Sequence, residues 1–151
     1  MAKKTFLLLV DGSEGFPCAL DYASEQARLT GAAVALLAIV EPEGIETWGG
    51  VEEAVTDSAF DAARKIMLSY EQSIVDATGS KPFCYYRKGE LKVTLLSFID
   101  ELAEVSALVV GVPSDKTTEN PLLTYLTSGK GLRKLTVPLI IVPSCSREAE
   151  D

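Results

Sequence analysis

Residues 5–13 read Thr-Phe-Leu-Leu-Leu-Val-Asp-Gly-Ser, an uncharged and mostly apolar run that ends in a polar turn. An unbroken apolar run of this length is typical of a β-strand buried on both faces, because a strand with one solvated face alternates apolar and polar side chains. Strands buried in this way occur mainly in parallel sheets that helices cover on both sides. The run therefore predicts an α/β protein, with Asp11 at the carboxyl end of its first strand.

Four further runs follow along the chain, and segments with helical periodicity separate them. We expect the other strands at 33–40, 82–86, 107–111 and 137–142, and helices at 17–30, 51–77, 91–105 and 121–135. The third strand contains Pro82 and is less apolar than the others, which suits the edge of a sheet. Gly31 and Gly79 directly follow the first two helices and are predicted to end them.

Five strands alternating with four helices predict a doubly wound five-stranded parallel sheet with helices on both faces, a Rossmann-like three-layer sandwich. No linker or repeat divides the 151 residues, so we expect one domain over 1–151, with a structured core at about 4–143 and a C-terminal tail at 144–151. Sheets of this type bind ligands beyond the carboxyl ends of their strands, where the strand order reverses.

The composition excludes several classes of function. The chain has no histidine, which removes Ser-His-Asp and Cys-His nucleophilic pairs and histidine-ligated zinc. Its formal net charge is -8, which argues against nucleic-acid partners and anionic membranes. The apolar run at 6–10 is too short for a signal peptide or a membrane span, so we expect a soluble, cytoplasmic protein.

The three cysteines are Cys18, Cys84 and Cys145, and no two of them form a C-x-x-C pair. This spacing encodes neither a zinc site nor a dithiol redox motif. In a cytoplasmic protein we therefore expect three reduced and mostly buried cysteines.

Two segments are candidates for ligand contacts. Asp11 faces the predicted crevice, where its carboxylate accepts hydrogen bonds from a base or a ribose; the alternative is a turn aspartate that a helix dipole stabilises. The segment Ser128-Gly-Lys-Gly131 suggests a phosphate loop, but Thr124 stands where that pattern needs glycine and Gly131 where it needs serine or threonine. A turn at the start of a shortened last helix is the competing interpretation.

The sequence of the last strand indicates that the chain pairs with a second copy of itself. Its residues, from Val137 to Val142, would form a long apolar edge if the strand lies outermost in the sheet. Proteins pair or cover such edges, because an exposed edge promotes aggregation. We expect two copies of the chain to pair through this strand.

Taken together, these segments resemble the universal stress protein family, a group of small proteins that bind adenine nucleotides. The resemblance rests on the order and spacing of Leu9-Val-Asp-Gly-Ser-Glu14, the strand at 34–40, Arg87-Lys-Gly-Glu90, the strand at 107–111 and the run at 137–143. It spans nearly the whole chain. It implies the three-layer fold of the adenine-nucleotide alpha-hydrolase-like proteins and a stress-responsive homodimer in the cytoplasm.

The resemblance also implies a set of nucleotide contacts. Asp11 would hold the adenine or ribose region, Val40 would pack on the base, and Val110 with Gly111 would line the crevice. ATP-binding members continue with G-x-x-G, nine residues and G-[ST]. This chain keeps Gly111 but has Ser114 and Thr124 in place of the next two glycines, so the phosphate motif is degenerate. A shifted phosphate contact would come from three residues, namely Thr127, Ser128 and Gly129.

Two functions from different classes remain open. In the first, the protein binds ATP or another adenine nucleotide, with Mg²⁺ only as the companion of that nucleotide. In the second, it is a dimeric interaction or regulatory module that binds no nucleotide and acts on an unidentified protein partner. No acid–base constellation is visible, so we assign no catalytic or metal-ligating residue and do not expect an enzyme.

Overall fold

The computed structural model of the chain describes residues 4–10, 15–40, 52–102, 104–112 and 121–143. Asp11, Ser114 and Cys145, three residues that the sequence singles out, lie outside these ranges. The elements are, in chain order, β1 (Thr5–Leu9), α1 (Phe16–Thr30), β2 (Ala33–Val40), α2 (Glu52–Thr78), β3 (Phe83–Lys88), α3 (Leu91–Glu101), β4 (Val105–Gly111), α4 (Pro121–Thr127), α5 (Gly129–Lys134) and β5 (Leu139–Val142).

The five strands form one sheet in the order β3-β2-β1-β4-β5, and every neighbouring pair is parallel. This confirms the predicted doubly wound parallel sheet. β1 lies at its centre, where Leu8 pairs with Leu36 on one side and with Val109 on the other. β3 and β5 form the two edges. The sequence predicts this position for β3, whereas for β5 the strand order of the structure decides it.

Helices cover both faces of the sheet, and β1 contributes side chains to both. Leu8 belongs to a core cluster shared with α1 and α2, while Leu7 and Leu9 belong to a second cluster shared with α3 and α4. Leu7 and Leu8 are completely buried. Because burying one leucine side chain stabilises a fold by roughly 1.5–3 kcal/mol, a run that is apolar on both faces favours the central position.

The glycines that were expected to end helices do so. Gly31 follows α1 and Gly79 lies just beyond α2, and both have a φ of 78°, in the left-handed region where a Cβ atom is unfavourable. The amide of Gly31 donates a hydrogen bond to the carbonyl of Ala27, over 2.8 Å. α1 begins at Phe16, one residue before the predicted start, with Pro17 in its first turn.

Two predicted helices differ from the observed ones. The third ends at Glu101, and Val105 begins β4 instead of continuing the helix. Val105 continues the helical spacing of the apolar residues before it, but it pairs with Thr5 in the sheet, and this long-range pairing decides its conformation. The last predicted helix is divided at Ser128 into α4 and α5.

The cysteine expectation is wrong for Cys18. This residue lies on α1, is only 9% exposed and is disulfide-bonded. Cys84, on β3, is half-buried and carries a free thiol. The spacing of cysteines along a chain does not reveal which of them meet in space, so the absence of a C-x-x-C pair says nothing about distant pairs.

Across the described ranges, none of the helices combines the length and the apolar character that a membrane span requires.

Candidate functional site

The strand order reverses between β1 and β4, and this places the candidate crevice at their carboxyl ends. Two hydrogen bonds continue the sheet just beyond these strands. The amide of Val10 donates to the carbonyl of Leu37 over 2.8 Å, and the amide of Val112 donates to the carbonyl of Val142 over 2.9 Å. The position of Asp11, directly after Val10, therefore follows an ordered strand end, although Asp11 itself lies outside the described residues.

The floor of the crevice is a contact between two glycines, Gly15 and Gly111. A Cβ atom on Gly111 would overlap the carbonyl oxygen of Gly15, and a Cβ atom on Gly15 would lie 2.7 Å from the carbonyl carbon of Gly111. The first turn of α1 thus rests directly on the backbone at the end of β4. Gly111 is predicted to line the crevice. In the structure, the absence of a side chain at this position allows the backbone of Gly15 to pack against it.

Val40 and Val110 are the two apolar residues predicted to contact a base. Val40 ends β2 and Val110 lies one residue before the end of β4, so both are at the carboxyl edge of the sheet. Their exposed fractions are 9% and 7%, and Val110 belongs to the core cluster shared with α3 and α4. The carbonyl of Val40 accepts a hydrogen bond from the amide of Gly89, over 3.0 Å.

The predicted phosphate contacts, Thr127, Ser128 and Gly129, form the turn between α4 and α5. The Thr127 hydroxyl donates to the carbonyl of Leu123 over 2.9 Å, and the Ser128 hydroxyl donates to the carbonyl of Tyr125 over 2.6 Å. Ser128 also caps α5, because its side chain accepts a hydrogen bond from the amide of Gly131. Both hydroxyls therefore have partners within the turn, whereas a Cβ atom on Gly129 would meet no atom within 4 Å.

A carboxylate of the chain itself occupies the amino end of α3. Glu90 precedes this helix and its side chain accepts hydrogen bonds from the amides of Lys92 and Val93, over 3.3 and 2.9 Å. Negative charge is favourable at this end of a helix, where the first amides have no partner within the helix. The capping carboxylate thus fills a position that an external anion would otherwise take.

We expect Glu90→Ala to lower the free energy of unfolding by about 1 kcal/mol, since loss of a side-chain cap typically costs that much. Urea unfolding followed by circular dichroism measures the change. Glu104→Ala, at another exposed glutamate, serves as the matched control and should leave the midpoint unchanged. Equal midpoints for Glu90→Ala and Glu104→Ala would contradict the capping role.

Over the described part of the chain, no group of three or more Cys, Asp or Glu side chains has the arrangement that holds a metal ion. Basic residues do lie at the carboxyl edge of the sheet. Lys88 ends β3 beside Val40, and the Lys92 ammonium lies 4.9 Å from the centre of the Tyr125 ring. These cations make the carboxyl edge of the sheet more favourable for an anion than the rest of the surface, which is acidic.

Sequence reasoning missed the contact between Gly15 and Gly111. A small residue at both positions is the only local sign of this contact. Nothing in the sequence pairs the two, because they are distant along the chain and meet only when α1 packs on the sheet.

Comparison of the sequence with models of known families and with curated proteins finds no match. Solved structures do match. The universal stress protein UspA from Lactobacillus plantarum superposes with a TM-score of 0.76 at 16% sequence identity, over 94% of this chain and 99% of that one.

Two similar structures contain nucleotides. A universal stress protein in complex with cAMP has a TM-score of 0.60 and 18% identity, over 95% of this chain and 99% of that one. A universal stress protein from Archaeoglobus fulgidus in complex with dAMP has a TM-score of 0.63 and 20% identity, over 94% and 99%. The chain therefore has the fold of the solved universal stress proteins, as the resemblance predicts.

Proposed function

We propose that this chain is a cytoplasmic universal stress-type protein that binds an adenine nucleotide in the crevice at the ends of β1 and β4 and acts in the stress response as a homodimer. The observation that carries this proposal is the fold, which it shares over nearly its full length with proteins crystallised with cAMP and dAMP. Fold likeness alone does not transfer a ligand, so the residues of the crevice must support it as well.

The amino end of α1 supports an anionic ligand in this crevice. Gly15 caps this 15-residue helix and has no side chain with which to satisfy its first amides. Such amides attract anions, and the helix dipole has the same sign. In the proposed complex Asp11 holds the adenine or ribose, Val40, Val110 and Gly111 line the crevice, and the phosphates reach the turn at Thr127, Ser128 and Gly129.

One part of this arrangement requires a rearrangement. The hydroxyls of Thr127 and Ser128 donate to carbonyls within their own turn, so phosphate contacts must replace those bonds. The open space beside Gly129 favours an approach to the backbone at that point. Bound Mg²⁺ would accompany the phosphates and has no site of its own in the proposal.

The same hydroxyl contacts favour the second candidate function, a dimeric interaction module without a nucleotide. In this alternative, Thr127 and Ser128 serve only to divide the last helix, and Ser114 and Thr124 stand where nucleotide-binding relatives have glycine because no phosphate needs to approach. The two candidates differ in one measurable property, the affinity for adenine nucleotides.

Asp11→Ala should weaken nucleotide binding by about 10- to 100-fold, because a hydrogen bond to a charged group contributes roughly 1.5–3 kcal/mol. Isothermal titration with ATP, cAMP and dAMP, with and without Mg²⁺, measures this effect. Asp21→Ala, at an exposed aspartate of α1, is the matched control and should bind like the unaltered chain. Unchanged affinity in Asp11→Ala would refute the placement of the site.

A second measurement separates the two candidate functions. The purified protein is denatured and any released adenine nucleotide is identified by mass spectrometry, and thermal melts are repeated with millimolar ATP. Released nucleotide or a raised Tm supports the binding protein, since a ligand that binds only the folded state stabilises it. Neither nucleotide nor a shift in Tm would favour the interaction module.

The dimer in this proposal is formed by the edge strand β5. Its four residues, Leu-Ile-Ile-Val, carry no charge and no proline, and Ile141 is 44% exposed. The opposite edge, β3, includes the charged residues Arg87 and Lys88, which discourage pairing with another strand. Of the two edges, β5 is therefore the better surface for a second copy of the chain.

A further inference from the structure

A cavity lies at the amino end of the sheet, opposite to the candidate crevice. It has a volume of about 190 Å³ and is enclosed by the carboxyl ends of α1 and α2 and by the first residues of β2 and β3. We propose that this cavity binds a small free carboxylic acid with a ring-sized apolar body, such as an arylacetate. This site is separate from the nucleotide crevice, so it does not depend on the function proposed above.

The inner wall of the cavity is apolar. Ala27, Val34, Ile74 and Pro82 line it, and each of these residues is buried. Phe83 also lines the cavity, with half of its surface exposed to solvent. Because an apolar cavity of about 150 Å³ is large enough to hold a benzene ring, the volume here accommodates a ring with one short substituent.

A backbone amide without an acceptor belongs to the same wall. The amides of successive strand residues point to opposite sides, and the amide of Ala33 donates to the carbonyl of Lys4, on the side of β1. The amide of Val34 therefore faces β3, but β3 pairs with β2 only from Ala35 onward. Within the described residues no oxygen accepts a hydrogen bond from this amide, although Val34 is only 3% exposed. Buried amides are almost always paired, so a ligand in this cavity should supply an acceptor.

The opening of the cavity carries an available cation. Lys81 lies there, is exposed and forms no ion pair with a carboxylate of the described residues. Arg28 also borders the cavity, but its guanidinium is held by Glu25 over 2.6 Å. A carboxylate has two oxygens and can accept from both the amide of Val34 and the ammonium of Lys81. Such charge-assisted hydrogen bonds are stronger than those to a neutral acceptor.

The negative ends of two helices, α1 and α2, point toward this cavity and oppose an anion. The carbonyls concerned already have donors. Ala27 accepts from the amide of Gly31 over 2.8 Å, and Ile74 accepts from the hydroxyl of Thr78 over 2.8 Å. A cationic ligand would therefore find these carbonyls occupied, and the ammonium of Lys81 would repel it. The groups that remain unused are donors, and they favour an anion.

An NMR titration tests the proposal on the full chain. Nitrogen–proton correlation spectra are recorded while phenylacetate is added. We expect saturable shifts at Val34, Lys81 and Phe83, with the amide proton of Val34 moving downfield as it gains an acceptor. The Kd should be about 1 mM, the range expected for so small a ligand. No saturable shift at Val34, as a cavity that holds only water would give, or shifts confined to Val40 and Gly111 in the crevice, would overturn the proposal.

A matched ligand and a matched variant test the role of charge. Phenylacetamide has the same shape without the charge and should bind about tenfold more weakly. Lys81→Met keeps the aliphatic stem and removes the ammonium, so it should weaken phenylacetate binding about fivefold, the upper end for an exposed ion pair. Lys65→Met, at an exposed lysine of α2 outside the cavity, should bind like the unaltered chain. Equal affinities of the two ligands, or of the two variants, would overturn the proposal.

Discussion

Gly111→Ala is expected to lower the free energy of unfolding by about 3 kcal/mol, the upper end of the usual cost of overpacking. The added methyl group would overlap the carbonyl oxygen of Gly15, which is backbone and cannot turn away as a side chain can. Relief of the overlap requires α1 to move off the sheet, and α1 carries seven buried residues in its core face. Chemical denaturation at constant temperature measures the loss.

Gly129→Ala is the matched control for this substitution. Gly129 is the first residue of α5, and a Cβ atom there would meet nothing within 4 Å. Its stability should stay within about 0.5 kcal/mol of the unaltered chain, or rise slightly, because alanine favours helix more than glycine does. If both variants lost the same stability, the contact between Gly15 and Gly111 would not be the cause.

Ile141→Lys should convert the proposed dimer into a monomer at micromolar concentration. In a pairing of two β5 strands around a two-fold axis, the substitution brings two ammonium groups into one interface, and unpaired buried charges are strongly unfavourable. We expect the dimer to dissociate about 100-fold more readily, which corresponds to about 2.8 kcal/mol. Light scattering should then give the mass of one 16.2 kDa chain.

Leu68→Lys controls for the effect of a new charge on the surface. Leu68 lies on α2, away from β5, and is 64% exposed, so a lysine there should leave the mass at twice that of one chain. A monomeric mass for the unaltered protein would refute the dimer itself. A dimeric mass for Ile141→Lys would refute the use of β5.

The layer architecture is predictable from the sequence because it depends on periodicity. Apart from β3, the strands are mostly apolar without alternation, and Leu7 and Leu8 show why: adjacent side chains enter opposite core clusters. The end of a helix is predictable where a single residue determines it. Gly31 and Gly79 are such residues, because each adopts a positive φ that favours glycine. Val105 was misassigned because its local spacing fits a helix while its partner, Thr5, lies a hundred residues away.

The candidate site is less predictable. Val40, Val110 and Gly111 lie at the same edge of the sheet because β2 and β4 are parallel and these residues are at their carboxyl ends. This much follows from the predicted order of strands and helices along the chain. The local contacts of Thr127 and Ser128 were not foreseen, because a hydroxyl that bonds to a carbonyl three or four residues earlier looks the same in sequence as one that is free.

By itself, the sequence determined the fold class and the edge position of the third strand, because burial and periodicity act on neighbouring residues. Only the tertiary structure decided that Gly15 lies on Gly111, that Cys18 is disulfide-bonded and that β5 ends beside α1. These are contacts between residues far apart in the chain. They depend on the exact distance between packed elements, and no local pattern of side chains encodes that distance.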